Sequence, residues 1–224
     1  MDTTKITVKI YTPLLTKFSK TLDSLHIKRD SFLNAMIKGE SAQLAIELNG
    51  RKQSGAARKY IAGALKRLGT TTVNIVVEKS TADNLNQIVD EANLVRDAFI
   101  NRLMYFLLSS DRLLQFLELP VFITGSNFEG YVEPMPTSPM SSMKVIASDP
   151  LYYLRLAVQE NYDAAGIYTL SLPKEFNGFA CFLPNDEIPG TEENQSLLAS
   201  LDELMKIELD SLEENALSKG LETK

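Results

Sequence analysis

The chain has 224 residues, 44% apolar and 23% charged, which are values of a globular protein long enough to bury one or two cores. One cysteine, Cys181, excludes an intramolecular disulfide and suits a reducing compartment; one histidine, His26, argues against a histidine-built metal or triad site. The net charge of −6 hides an asymmetry: residues 1–70 hold 13 Lys/Arg against 5 Asp/Glu, net +8, while residues 71–224 hold 10 against 24, net −14.

Residues 5–11, KITVKIY, alternate strictly, with Ile6, Val8 and Ile10 on one face, and predict a half-buried strand. Thr12-Pro13 reads as the N-cap and first residue of a helix carrying Leu15, Phe18, Leu22 and Leu25 at helical spacing. A tight turn at His26 follows, where a left-handed residue is expected. A second helix opens at Ile27–Asn34, IKRDSFLN, buries Leu33, Met36 and Ile37, and reaches Leu48 before the stop signal Asn49-Gly50. Residues 49–70 form a basic connector. In it Ser54 caps a helix from about Ala56 to Leu68, with Arg58, Lys59, Lys66 and Arg67 opposite Tyr60, Ile61, Ala64, Leu65 and Leu68.

The same grammar then returns at an offset of 67 residues. Val73, Ile75 and Val77 alternate in residues 72–78; Ser80 is the expected helix cap; Ala82, Leu85, Val89 and Ala92 are the apolar positions. Asn93 aligns with His26. Leu94–Asn101, LVRDAFIN, repeats the earlier stretch with Arg29/Arg96, Asp30/Asp97, Phe32/Phe99 and Asn34/Asn101 identical. Ile100, Leu103 and Met104 match the apolar set of the first copy.

Beyond the second copy, Asp111–Leu119 predicts a short helix and VFITG (121–125) and Gly130–Val132 short strands. Residues 133–143, with three prolines, three serines and three methionines, predict a linker. Asp149-Pro150 marks a helix start, GIYTLSL (166–172) and GFACFLP (178–184) predict a hairpin, and a final helix is expected over Glu193–Ala216 with Leu198, Leu201, Met205, Leu209 and Leu212 on one side. Residues 186–224 carry 11 acidic and 3 basic groups, net −8, which sets the tail apart from any nucleic-acid surface. No apolar run is long enough to span a bilayer, and residues 1–11 alternate where a signal peptide would be continuously apolar; a cytoplasmic protein without membrane contact is expected.

A strand, helix and helix in about 40 residues cannot bury a core alone, and a half-buried strand cannot satisfy its own backbone. Two copies solve both problems by pairing their strands antiparallel over four helices. In this the chain resembles the ribbon-helix-helix DNA-binding repressors in duplicate, over about residues 4–110. The resemblance implies an α+β, mostly helical fold: a first unit at 1–48, the connector at 49–70, a second unit at 71–119, and an α+β C-terminal domain at 120–224 with a long acidic terminal helix.

It further implies a sequence-specific binder of double-stranded DNA, needing no cofactor and acting as a repressor or a plasmid or mobile-element accessory protein. An antitoxin-like protein, whose rear part meets a protein partner or a second copy, is the alternative. A two-stranded ribbon fits the major groove, where Lys reaches guanine, Asn reads adenine and methyl groups touch thymine. The base-reading candidates are therefore Lys5, Thr7, Lys9, Thr72, Asn74 and Val76. The phosphate candidates are Lys28 and Arg29 at the second helix of copy one, Arg96 in copy two, and Arg58 and Lys59 on the connector. Competing with these, the strand face and connector charges read as solvated surface, and Arg29 and Arg96 as partners of nearby carboxylates. No phosphate-binding glycine loop, HExxH or paired-cysteine spacing occurs, and Cys181 within FACF reads as a buried inert thiol.

Overall fold

Strict alternation in residues 5–11 and 72–78 becomes one antiparallel sheet: β1 (Thr3–Tyr11) pairs with β2 (Thr70–Glu78) from Thr3↔Glu78 to Tyr11↔Thr70, with Thr7↔Asn74 between them. The computed structural model describes residues 2–119, 136–162 and 166–201. The chain is α+β and mostly helical, and its contacts divide it into two units, Met1–Phe182 and Leu183–Lys224.

In the first unit β1 leads into α1 (Thr12–Ser24) and α2 (Arg29–Leu48), joined by a turn in which His26 is left-handed at φ 57°. β2 leads likewise into α4 (Lys79–Glu91) and α5 (Arg96–Leu108), with Asn93 at φ 55°. Between them lies α3 (Gly55–Arg67), whose N-cap Ser54 accepts the Ala57 N–H at 3.0 Å as expected. α2 ends at Leu48 with Asn49 left-handed, and Gly50 at φ 74° continues a turn that a side chain would strain. Two expected caps differ. α1 and α4 start at Thr12 and Lys79 with no side-chain cap, so Ser80 lies inside the first turn; the Thr12 hydroxyl instead meets that of Thr71 at 2.9 Å, tying the start of α1 to β2.

The inward strand residues Ile6, Val8, Ile10, Ile75 and Val77 rest on Leu14, Phe18, Leu22, Leu33, Met36, Ile37, Leu85, Val89, Phe99, Ile100, Leu103 and Met104, all buried. Leu25 is solvent-facing, at 59% exposure, because α1 ends at Ser24 and Leu14 takes the buried place at its start; Leu198 and Leu201 of the final helix are exposed as well. α6 (Asp111–Phe116), capped by Ser110, realises the expected extension. α7 (Pro139–Ser148) lies in part where a linker was expected; the Ser138-Pro139 pair begins it, and none of its residues is buried. α8 (Tyr152–Asn161) starts two residues after Asp149-Pro150. Residues 121–125 and 130–132 lie outside the described residues. In the second unit a 3-10 turn (Asn185–Glu187) precedes a helix over residues 192–201, which Thr191 caps through the Asn194 N–H at 3.2 Å. No helix among the described residues is long and apolar enough to cross a membrane.

The hairpin expected at 166–172 and 178–184 is not formed. Residues 166–173 have no strand, Lys174–Phe179 is a 3-10 turn, and β1 and β2 form the only sheet among the described residues. Tyr168, Leu170 and Leu172 are buried at alternate positions, with Ile167 buried beside them, but side chains take the place of a ladder. The fully buried Arg102 guanidinium donates from Nε to the Ile167 carbonyl at 2.7 Å and from Nη2 to the Leu170 carbonyl, and the Glu47 carboxylate accepts the Tyr168 N–H at 2.6 Å. Tyr168 Oη donates to Glu40 at 2.7 Å, and Arg155 grips the same carboxylate at 2.9 and 3.1 Å and Asp149 at 2.6 Å. Burial pushes the Cys181 thiol up to about 12, which leaves it protonated and inert, as the apolar FACF context suggests.

Two outcomes follow from this polar cluster. Arg102→Met leaves two carbonyls unpaired and should lower stability by about 2–4 kcal/mol in urea unfolding, with faster amide exchange in residues 166–172. Burial raises the Glu47 carboxyl above its ordinary value of 4.5, against the opposing Tyr168 N–H and the Arg102 charge. The folded state therefore holds that proton more tightly than the unfolded one. The contribution is full below pH 4.5 and is lost as pH rises through the folded value. Glu47→Gln should flatten the stability profile across that window, measured as urea midpoint against pH.

Candidate nucleic-acid interface

A two-stranded sheet has two free edges, and each exposes backbone groups that need partners. Here the repeated Arg-Asp-x-x-x-Asn stretches cover the half of each edge that runs into the following helix. At the edge of β2, Arg29 Nη2 donates to the Asn74 carbonyl at 3.2 Å, Asp30 accepts the Val76 N–H at 3.1 Å, and Asn34 accepts the Glu78 N–H at 2.8 Å. At the edge of β1, Arg96 Nη2 donates to the Thr7 carbonyl at 2.7 Å, the Lys9 N–H bonds the Asp97 carboxylate, and Asn101 accepts the Tyr11 N–H at 2.8 Å. Asn101 also donates to the Lys9 carbonyl at 2.8 Å and that of Asp97 at 2.7 Å, and is fully buried. The arginine, aspartate and N–H-accepting asparagine contacts recur between the two edges at the 67-residue offset. Burial raises the Asp97 carboxyl, while the Lys9 N–H and the Arg96 charge hold it down.

With half of each edge covered and the inner face packed, the outer face is left open. Lys5, Thr7, Lys9, Thr72, Asn74 and Val76 are all exposed there. The register sets Lys5 opposite Val76 and Lys9 opposite Thr72, around the Thr7–Asn74 pair. The Thr7 hydroxyl donates to Asn74 Oδ1 at 2.9 Å, so the outward groups at the centre are the Asn74 N–H donors and the Thr7 oxygen.

The phosphate candidates separate into two kinds. Lys28 is exposed at the N-cap of α2, where the first-turn N–H groups and helix dipole favour an anion. Arg29 and Arg96 are engaged with the strand carbonyls, and Arg29 also meets Asp30 at 2.8 Å, so both are half-buried structural groups. Arg58 and Lys59 are exposed on α3. A cleft of about 450 Å³ at the start of α2 is lined by Ser19, Asp23, Lys28, Arg29, Asp30 and Ser31. One of about 380 Å³ at the start of α5 is lined by Arg58, Asn86, Asp90, Val95, Arg96 and Asp97. Val95 occupies the place of Lys28, and Arg58, held at 2.8 Å by the Asn93 amide oxygen, brings a cation to that cleft from another helix. Among the described residues no cluster of His, Cys, Asp and Glu is arranged to hold a metal.

Sequence reasoning found the outer face but not the covering of the edges. The identities at Asp30/Asp97 and Asn34/Asn101 were the signal, being polar residues repeated where an amphipathic helix would tolerate any polar group. Asn101→Ala strands the Tyr11 N–H and Lys9 carbonyl and should cost about 2–3 kcal/mol, against about 1 kcal/mol for the more exposed Asn34→Ala, in chemical denaturation of the two variants side by side. No protein-family model, no curated protein and no solved structure matches this chain.

Proposed function

We propose that residues 2–119 are two ribbon-helix-helix units acting as a pseudo-dimer within one chain, and that the protein binds double-stranded DNA in a sequence-specific manner. The observation that carries this reading is the strand register. Thr7 pairs with Asn74, and these are the same position of the two repeats; every other pair is exchanged by the 67-residue offset. That is the pairing of two equal units about a twofold axis. The reading is supported by the matched left-handed turns at His26 and Asn93, by the matched edge contacts, and by a first half of net charge +8.

In this reading the outer sheet face enters the major groove, Lys5, Thr7, Lys9, Thr72, Asn74 and Val76 meet base edges, and Lys28, Arg58 and Lys59 lie along phosphates. Arg29 and Arg96 position the strands instead of contacting DNA. A transcriptional repressor or a plasmid-borne accessory protein fits such a binder. A second role, contact with a protein partner through the rear of the chain, is favoured by α7, where Met140, Met143, Val145 and Ile146 are exposed.

Gel shifts with a random-sequence duplex should show binding that weakens steeply with salt, because affinity comes largely from released counterions. Lys28→Ala and Arg58→Ala should each reduce the salt slope by about 1 and weaken all sequences alike, while Lys9→Ala or Asn74→Ala should cost about 1–3 kcal/mol on a preferred site and relax its preference. Absence of any duplex binding at low salt would end this reading.

A further inference from the structure

The twofold that relates the two repeats exchanges Lys5 with Thr72, Thr7 with Asn74, and Lys9 with Val76. No exchanged pair is chemically equal. β1 offers Lys-Thr-Lys to the outside and β2 offers Thr-Asn-Val, all exposed and in fixed register. Lys5 and Lys9 are four residues apart on one strand, about 13 Å along it at the usual strand rise. Each end of the face therefore holds one lysine, but beside unlike neighbours: Val76 at the Lys5 end, Thr72 at the Lys9 end.

A lysine ammonium only donates, so it selects acceptors such as guanine O6 and N7. Valine offers only methyl groups, which suit the thymine methyl and give a guanine edge nothing to bond. Threonine offers a methyl and a hydroxyl and accepts either. The centre is equally one-sided, since the Thr7 proton is spent on Asn74 Oδ1. The flanks repeat the inequality, with Lys28 on α2 at one cleft and Val95 with Arg58 from α3 at the other.

From these unequal halves we infer that the sheet face reads a duplex site lacking inverted-repeat symmetry. Both ends carry a guanine contacted from β1, and a thymine follows only at the Val76 end. The inference rests on the DNA-binding reading above. It differs from what two equal units would do, because a homodimer presents the same three side chains twice and selects an inverted repeat.

The test is enrichment of duplexes from a random pool by the full chain at low salt, repeated with the Thr72→Lys, Val76→Lys double variant. That variant gives β2 the two lysines of β1 at exposed positions that hold no core contact. The wild-type chain should enrich a non-palindromic consensus, and replacing one half of it by the inverse of the other should weaken binding about tenfold, the effect of one lost base contact. The double variant equalises the two ends and should narrow the gap between the asymmetric and symmetrised sites, leaving the preference set by the unequal Thr7–Asn74 centre. The pair Lys5→Thr, Lys9→Val symmetrises the flanking positions in the opposite direction and should also narrow that gap, at lower affinity. A wild-type consensus that is a perfect inverted repeat overturns the inference and leaves duplex binding standing, as does a double variant that keeps the wild-type asymmetry. Enrichment of no duplex removes the DNA-binding reading and this inference together.

Discussion

An isolated pair of strands is a poor structural unit because both of its strands are edges. Half of their backbone groups point away from the ladder, and each buried group left without a partner costs on the order of 1–3 kcal/mol. The first unit answers with side chains: arginine for a carbonyl, aspartate and asparagine for N–H groups, from the first two turns of α2 on one edge and of α5 on the other. The rest of the unit depends on this. The contacts fix where the helices start relative to the strands, and that placement sets Leu33, Ile37, Ile100 and Met104 beneath Ile6, Val8, Ile10, Ile75 and Val77.

Covering half of each edge has a second effect. An open edge invites another strand, whether from a partner or from an aggregate. Here the outer face is left open, and its chemistry is polar and cationic, with a single valine. Recognition through main-chain pairing is thereby disfavoured and recognition through side chains is left. In the proposed DNA-binding reading, recognition therefore falls on six residues in fixed register and not on the strands as such.

The legible parts of the sequence were those with a period. Alternation gave both strands and their inward residues, and helical spacing gave Leu33, Met36 and Ile37 of α2, Ala82, Leu85 and Val89 of α4, and Ile100, Leu103 and Met104 of α5, all buried. The polar punctuation at His26, Asn49, Ser54 and Asn93 gave turns and a cap. The two-residue late start of α8 and the missing side-chain caps on α1 and α4 are boundary errors, where several hydroxyls compete for one role. The motif IKRDSFLN was visible as a repeat, yet its meaning was not, because hydrogen bonds between a helix start and a distant strand leave no local period. Arg29 and Arg96 read either as phosphate contacts or as partners of carboxylates; Arg29 does pair with Asp30, but the strand carbonyls that both arginines meet left no sign in the sequence.

The expected hairpin at 166–184 fails through the same physics that makes the sheet work. Alternating apolar residues show that one face of a segment is buried; they do not show what its backbone bonds to. In β1 and β2 the inner partner is another strand and the outer partners are side chains. In residues 166–172 the described partners of the Ile167 and Leu170 carbonyls and the Tyr168 N–H are side chains, from Arg102 of α5 and Glu47 of α2. A buried arginine, able to donate five N–H groups in a fixed fork, can stand in for part of a strand. Its burial lowers its own proton affinity, against the opposing charge of Glu47 among others, so the substitution is paid for in desolvation. Where a core supplies such a group, an alternating segment can be held as an irregular strap, and period alone cannot distinguish the two outcomes. The distinguishing sign in this chain is an arginine inside the apolar run FINRLMYFLL, in a place where a helix that only packed against its neighbours would have carried leucine.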